Sequence, residues 1–223
     1  MRMRKKKHLT ERLEAQKGIL YVLESREFYQ KSMEEKTALF DLFALFGNDN
    51  PIEVEFGCGR GKFIVETALN HPEKNFIGIE KLSNVIVAAA EKANAAGVKN
   101  VRFLNLSAEN AECFLPAHCA ERIYLNFSCP YPKNSYENRR LTNARFLEIY
   151  KKLLKKGGDI WQKTDNMHFF EYSIESFTEN GFALRNISLD LHKSGFEGNV
   201  TTEYEERFSL NHFPIYRLEA YLK

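Results

Sequence analysis

The strongest local motif in the chain is Glu55-Phe56-Gly57-Cys58-Gly59-Arg60-Gly61, followed by a second acid at Glu80. Glycines at this spacing permit a tight turn and let a ligand approach the backbone closely. Amides at the start of a following helix would point at that ligand. An acid about 20 residues further on, at the end of the next strand, can grip ribose hydroxyls. A nicotinamide dinucleotide would use much of this geometry, but its GxGxxG pattern requires glycine at position 62, where Lys62 stands. Glu55, two residues before the first glycine, suits a cofactor bearing a cationic aminoacyl group better than a pyrophosphate. The chain also has no room for a separate dehydrogenase substrate domain. The spacing therefore favours S-adenosylmethionine (SAM), held by Glu55, Gly57, Gly59 and Glu80.

Four cysteines, Cys58, Cys113, Cys119 and Cys129, form no CxxC pair and have no histidines at ligand spacing. The expectation is no metal, no zinc and no structural disulfide. Basic residues gather in the opening Met1 to His8 (MRMRKKKH), at Lys133, Arg139 and Arg140, and at Lys151, Lys152, Lys155 and Lys156. The first group reads equally as a solvated tail or as a polyanion contact. The last group reads as the end of a helix closed by Gly157-Gly158, where cations complement the helix C-terminus. A net charge of +2 does not by itself require a nucleic-acid partner. No apolar run approaches the roughly 20 residues needed to span a bilayer, and no signal-like stretch follows the basic start. The expectation is a cytoplasmic protein with no membrane partner.

These residues must be positioned by a scaffold, and from Pro51 onward short β-rich runs alternate with helix-period segments. Strands are expected at Ile52 to Phe56, Asn75 to Glu80, Val101 to Leu106, Ile123 to Phe127 and Asp159 to Thr164, with Ala183 to Leu191 and Ile215 to Leu222 as a closing pair. Helices fall between them, striped by Val85, Ile86, Ala89, Ala90 and Ala93, by Phe146, Tyr150, Leu153 and Leu154, and by Phe169, Phe170, Ile174 and Phe177. Such alternation argues for an α/β, doubly wound, mainly parallel sheet. A chain of 223 residues, 43% hydrophobic, is long enough for one sizeable core. The reading is a basic tail and helical extension over 1–50, striped by Leu39, Leu42, Phe43 and Phe46, then one domain over 51–223.

After the fourth strand comes Tyr124-Leu125-Asn126-Phe127-Ser128-Cys129-Pro130-Tyr131-Pro132-Lys133, then Arg139-Arg140-Leu141-Thr142. This resembles the signature loop of the bacterial tRNA (guanine-N7)-methyltransferases, usually NFSDPWPK followed by RRL. The likeness continues through Lys163-Thr164-Asp165-Asn166, Leu189-Asp190-Leu191-His192 and Thr202-Glu203-Tyr204-Glu205-Glu206-Arg207-Phe208, and the opening MRMRKK is similar too. The resemblance implies a class I SAM-methyltransferase fold, Rossmann-like and seven-stranded, whose last strands run antiparallel. It implies SAM contacts at Glu55, Glu80 and the Ser107 position, and substrate contacts at Lys133, Asp165, Thr202, Glu203, Tyr204 and Glu205. The implied partner is tRNA, and the implied acceptor is a guanine of its variable loop.

Five positions depart from that pattern: Ser107, Cys129, Tyr131, and Ser135 and Tyr136, which stand at two basic positions of the family loop. Class I methyltransferases commonly place an acid after strand three for the adenine amino group; here Ser107 stands there, so adenine would lean on the Ala108 backbone amide as well. The family's catalytic aspartate falls on Cys129 and its tryptophan on Tyr131. Guanine N7 carries a lone pair and no proton, so methylation there needs no obligatory base; alignment with the methyl donor is what the enzyme must supply. A carboxylate facing the base would anchor it and favour the cationic product, and a thiol is a poor substitute. Asp165, Glu203 or Glu205 would compensate if they converge on the pocket. Three readings stay open: guanine-N7 methylation of tRNA, a SAM- and RNA-binding relative with weak or lost catalysis, and a methyltransferase with a changed target. A nucleophilic Cys129 is disfavoured, because the nucleophile of cytosine-C5 methyltransferases follows proline, whereas Cys129 precedes Pro130. Lys133, Arg139 and Arg140 read as phosphate contacts, and Tyr131 as the base-stacking platform.

Overall fold

The computed structural model describes residues 7–23, 40–205 and 213–222. Its elements are α1 (Leu9–Glu14), β1 (Leu20–Val22), α2 (Leu42–Phe46), β2 (Ile52–Phe56), α3 (Lys62–Asn70), β3 (Asn75–Ile79), α4 (Ser83–Ala95) and β4 (Val101–Asn105). There follow β5 (Ala120–Asn126), α5 (Ala144–Leu153), β6 (Leu154–Thr164), α6 (Met167–Glu179), β7 (Phe182–Ser188) and β8 (Tyr216–Leu222). They build one sheet in the order β1-β4-β3-β2-β5-β6-β8-β7, parallel except where β8 runs antiparallel to β6 and β7. The order reverses at β2, whose neighbours are β3 and β5. Ligands in doubly wound sheets bind at such a switch, outside the carboxyl ends of the strands.

The strand sequence of β2 explains why the two sheet faces differ. Side chains alternate across a strand, so Ile52, Val54 and Phe56 enter one apolar core together with Phe146, Leu147, Tyr150 and Leu153 of α5. Each of these large side chains contributes about 1.5–3 kcal/mol by leaving water. Glu53 and Glu55 face the opposite side and are almost fully buried there. Along that face β5 and β6 carry Tyr124, Asn126, Trp161 and Lys163, and β8 carries Arg217 and Glu219. A strap from Gly195 to Glu205 lies over this polar ladder, while α3 and α4 cover the β3–β4 side with a second apolar cluster.

The sheet has eight strands, one more than the seven expected. The extra strand is Leu20-Tyr21-Val22, which pairs in parallel with Phe103, Leu104 and Asn105. Three residues are too few for a period to register in the sequence. The segment before Asn50 is therefore joined to the sheet, and Arg12 of α1 pairs with Glu91 of α4 at 2.5 Å. Of the basic tail, Arg2, Arg4, Lys5 and Lys6 lie outside the described residues, as does Leu39 of the apolar stripe.

A second correction concerns Gly157-Gly158, which does not end a helix. Helix α5 stops at Leu153, with Lys151 and Lys152 in its last turn. Lys155, Lys156 and Gly157 then bulge out of β6, because Ala120 pairs with Leu154 while Arg122 pairs with Asp159. Gly158 is needed for the close approach of β5: a Cβ there would sit 2.9 Å from the Glu121 carbonyl oxygen.

Candidate active site

Two loops leave the carboxyl ends of the neighbouring strands β2 and β5 at the switch. In the first, Gly57, Gly59 and Gly61 have φ of 77°, 58° and 76°, a region that costs side-chain-bearing residues roughly 1–2 kcal/mol each. Gly61 is also a packing requirement, since a Cβ on it would lie 2.6 Å from the Ala89 Cβ of α4. The amides of Gly57 and Cys58 donate to the Ile79 carbonyl at 2.8 and 3.0 Å, which ties the turn to the end of β3. Glu80 follows directly, its carboxylate accepting from the Leu82 amide at 2.9 Å. Burial raises the Glu80 carboxyl above its ordinary range, against the backbone amides that lower it. Cys58 is buried, and burial together with Glu55 and Glu80 pushes its thiol up, so it is a packing residue.

Glu55 is the most informative side chain of the region. Its Oε1 accepts from Asn126 Nδ2 at 2.8 Å, while Oε2 is buried with no partner among the described residues. Desolvation pushes its carboxyl up to about 7, opposed by Asn126 and Lys163 and reinforced by Glu80. A buried acceptor without a donor is costly. The cationic ammonium of an aminoacyl cofactor is the group that would satisfy it, so these residues fit SAM.

In the second loop Phe127 and Tyr131 have positive φ of 49° and 41°. The loop carries exposed Cys129 into a cleft of about 490 Å³, where it meets Gly57, Glu80, Ser107, Ala108 and Tyr131. Arg139 also lines this cleft, with its guanidinium 4.6 Å from the Tyr136 ring. A second hollow of about 290 Å³ shares Gly57 and Phe127 with the first and holds Glu55, Gly59, Thr202, Glu203 and Tyr204. The Phe127 and Tyr204 rings, 5.4 Å apart, stand at the boundary between the two.

The sequence-derived residues divide by placement. Gly57, Glu80, Ser107, Ala108 and Cys129 converge in one cleft and Glu55, Gly59, Thr202, Glu203 and Tyr204 in the other. Lys133 and Asp165 line neither. Lys133 is exposed, and Asp165 is half-buried at the end of β6, with desolvation pushing its carboxyl up. Thr202 and Glu205 are turned inward: Thr202 Oγ1 accepts from the Glu205 amide at 2.9 Å, and Glu205 Oε2 accepts from the Thr202 amide at 3.4 Å. This is the reciprocal cap that a Thr-x-x-Glu sequence encodes. Glu205 is fully buried and pairs with Lys163 at 2.8 Å. Lys163 also donates to Asn199 Oδ1 at 3.0 Å and to the Val200 carbonyl at 2.9 Å, which anchors the strap. Burial lowers the Lys163 ammonium, and Glu205 and Glu55 oppose that fall. Glu203 pairs with Lys92 at 2.6 Å.

Sequence reasoning passed over four residues of the site. Asn126 fixes Glu55, and Ser128 places beside Cys129 a buried hydroxyl with no partner among the described residues. Glu109 accepts from Ser107 Oγ at 2.5 Å and pairs with Arg145, so a carboxylate stands behind the serine that replaces the expected acid. The fourth is Lys163, which joins Glu205 and the Val200 carbonyl. Spacing could not have found the partners of Asn126 and Lys163, which lie far away in sequence, whereas Glu109 stands only two residues from Ser107 and was open to a local reading. Among the described residues no cluster of His, Cys, Asp or Glu is arranged to hold a metal ion, and no helix is long and apolar enough to cross a membrane.

Comparison with known proteins agrees with this geometry. Residues 49–218 match the family described as putative methyltransferase. The tRNA (guanine-N(7)-)-methyltransferase of Geobacillus kaustophilus is 51% identical over 176 residues, spanning 79% of this chain and 81% of the relative. That of Listeria monocytogenes is 52% identical over 177 residues, spanning 79% and 82%. Among solved structures, the 16S rRNA methyltransferase KamB superposes with a TM-score of 0.60 at 15% identity, covering 83% of this chain and 94% of its own. An antibiotic-related methyltransferase gives 0.58 at 18%, covering 81% and 90%. These two share the fold, and the family match together with the closer sequences shows more: the chain belongs to the tRNA (guanine-N7-)-methyltransferase family.

Proposed function

We propose that this protein transfers the methyl group of SAM to N7 of a guanine in tRNA. The observation that carries the reading is the junction of two hollows at Gly57 and Phe127, one suited to the cofactor's charged end and the other to its nucleoside and the incoming base. SAM supplies an electrophilic methyl group on a sulfonium. Glu55 holds the ammonium through its unpartnered oxygen, and Glu80 accepts from the ribose hydroxyls. Ala108 offers its amide to the adenine edge, and Ser107, backed by Glu109, offers its hydroxyl.

On the acceptor side Tyr131 provides a stacking surface, and Cys129 occupies the position facing the base. Guanine N7 needs no deprotonation, so the chain's work is alignment, which can supply several kcal/mol. Lys133, Asp165, Glu203 and Tyr204 are assigned to the tRNA side, with the Thr202–Glu205 cap holding the last two in place. Membership of the tRNA (guanine-N7-)-methyltransferase family supports the substrate, and the exposed Arg139 beside the cleft supports a phosphate contact.

The test is methyl transfer from labelled SAM to unmodified tRNA, with the product nucleoside identified by mass spectrometry. The expected product is 7-methylguanosine. Label on another base would point to a changed target, and binding of both ligands without transfer would point to a non-catalytic relative.

A further inference from the structure

Two non-glycine residues with left-handed backbone stand in the loop that presents Cys129, and such conformations cost of order 1–3 kcal/mol each unless the surroundings over-determine them. The loop has little backbone support of its own. Phe127 donates to the Lys163 carbonyl at 2.8 Å, but Ser128 through Pro132 form no backbone–backbone hydrogen bond among the described residues. What meets them instead is one side chain. Arg140 donates from Nε to the Pro130 carbonyl at 3.0 Å and from Nη2 to the Tyr131 carbonyl at 3.1 Å. Its guanidinium lies 4.3 Å from the ring centroid of Tyr172 on α6. The Tyr172 hydroxyl accepts from Asn143 Nδ2 at 2.9 Å, and Asn143 caps α5. Two rigid helices thus hold one planar cation, and that cation holds the two carbonyls that flank the turn.

We propose that Arg140 is a positioning residue, a latch that fixes the Cys129–Tyr131 loop in its strained form against the cofactor cleft, and is not a phosphate contact. The proposal rests on the reading of this cleft as the methyl-transfer site. It parts Arg140 from its neighbour: Arg139 is exposed and lines the cleft, whereas Arg140 is half-buried with its donors already directed inward. A guanidinium presents donors in a fixed planar fork and stacks on aromatic faces; an ammonium does neither. Arg140→Lys therefore separates the two roles, because it keeps the charge and removes the fork.

Cys129 is a built-in reporter, being exposed while Cys58 and Cys119 are buried. The experiment compares native protein, Arg140→Lys and Tyr172→Leu by the alkylation rate of Cys129 with a maleimide, read peptide by peptide, with Cys58 and Cys119 as internal controls for global opening. The expected result is a several-fold faster Cys129 in Arg140→Lys, a smaller increase in Tyr172→Leu, and unchanged controls. With tRNA, kcat should fall roughly ten- to a hundredfold in Arg140→Lys, the range for a displaced reacting group. The dependence of tRNA affinity on salt should match that of the native protein. Equal Cys129 rates in native and Arg140→Lys proteins overturn the latch, whatever happens to activity. Faster Cys129 in Arg140→Lys, together with a native protein that transfers no methyl group to tRNA, would keep the latch and overturn the functional reading instead. If Arg140→Lys does not fold, Tyr172→Leu alone decides, since it leaves the fork intact and removes its backing together with the Asn143 bond.

Discussion

The loops after β2 and β5 leave adjacent strands at the same edge of the sheet, yet they solve the same backbone problem by opposite means. The first turns through positive φ with Gly57, Gly59 and Gly61, which adopt it without steric cost. The second turns with Phe127 and Tyr131, which do not, and its conformation is held from outside by Arg140 and by the Lys163 carbonyl. A loop made of glycines carries its shape in its own sequence. A loop of strained residues keeps large side chains in the cleft, at the cost of depending on residues elsewhere.

That contrast is most easily broken in the glycine loop. Gly61→Ala should destabilise the fold by about 2–5 kcal/mol, from overpacking against Ala89 together with left-handed strain, whereas Gly59→Ala should cost only the strain, about 1–2 kcal/mol. Urea unfolding of both variants measures the difference, and equal losses would remove the packing argument.

The next largest effect lies in pH. Glu55 titrates at about 7 in the folded protein against an ordinary 4.5. Its folded value is raised, so the stability it contributes is complete below about 4.5 and is lost as pH rises through about 7. The full difference is about 3 kcal/mol. Glu55→Gln should therefore equal the native protein in stability near pH 4 and exceed it near pH 8. Ionised Glu55 is also the form that holds an ammonium, so affinity for S-adenosylhomocysteine should climb through pH 7 in the native protein and stay flat in the variant. Calorimetry at both ends of that range checks it.

On the other side of the junction, Cys129→Asp sharpens the comparison. The exposed position lets a carboxylate stay hydrated and ionised, and it offers a strong charged acceptor where a thiol offers almost none. Single-turnover methylation should accelerate by about tenfold, equivalent to about 1.4 kcal/mol. A slower variant would mean that other acids anchor the base. The smallest effect is electrostatic: Arg139→Gln should reduce the slope of log affinity for tRNA against log salt by somewhat less than one. An unchanged slope would take Arg139 off the phosphate path.

How far the sequence alone could be read follows the same division. Glu55, the glycines and Glu80 are legible because their roles are local to one strand–turn–helix unit. Cys129 is legible only as a departure from a familiar loop, and its neighbour Asn126 gains meaning only from Glu55 on the adjacent β2. Thr202 and Glu205 spell a helix cap in plain sequence, yet resemblance assigned them to substrate, and the buried Lys163–Glu205 pair shows what their side chains hold. Gly157-Gly158 carried a genuine signal with two meanings, since a glycine pair can end a helix or let two strands close up at a bulge. Only the pairing of β5 with β6 separates them.

The strap over the polar face has an optical consequence. Trp161 is the chain's one tryptophan. Its indole lies between the guanidinium groups of Arg122 and Arg217, at 3.7 and 4.5 Å, donates to Asp159 at 3.0 Å, and meets the edge of Phe196 from the strap at 5.9 Å. Its emission colour is therefore set by charges that belong to the sheet and by a ring that belongs to the strap. Lifting Phe196 would admit water, whose dipoles relax around the excited indole, and the spectrum would move to the red. The protein's own fluorescence thus reports whether the segment that leads to Tyr204 is seated.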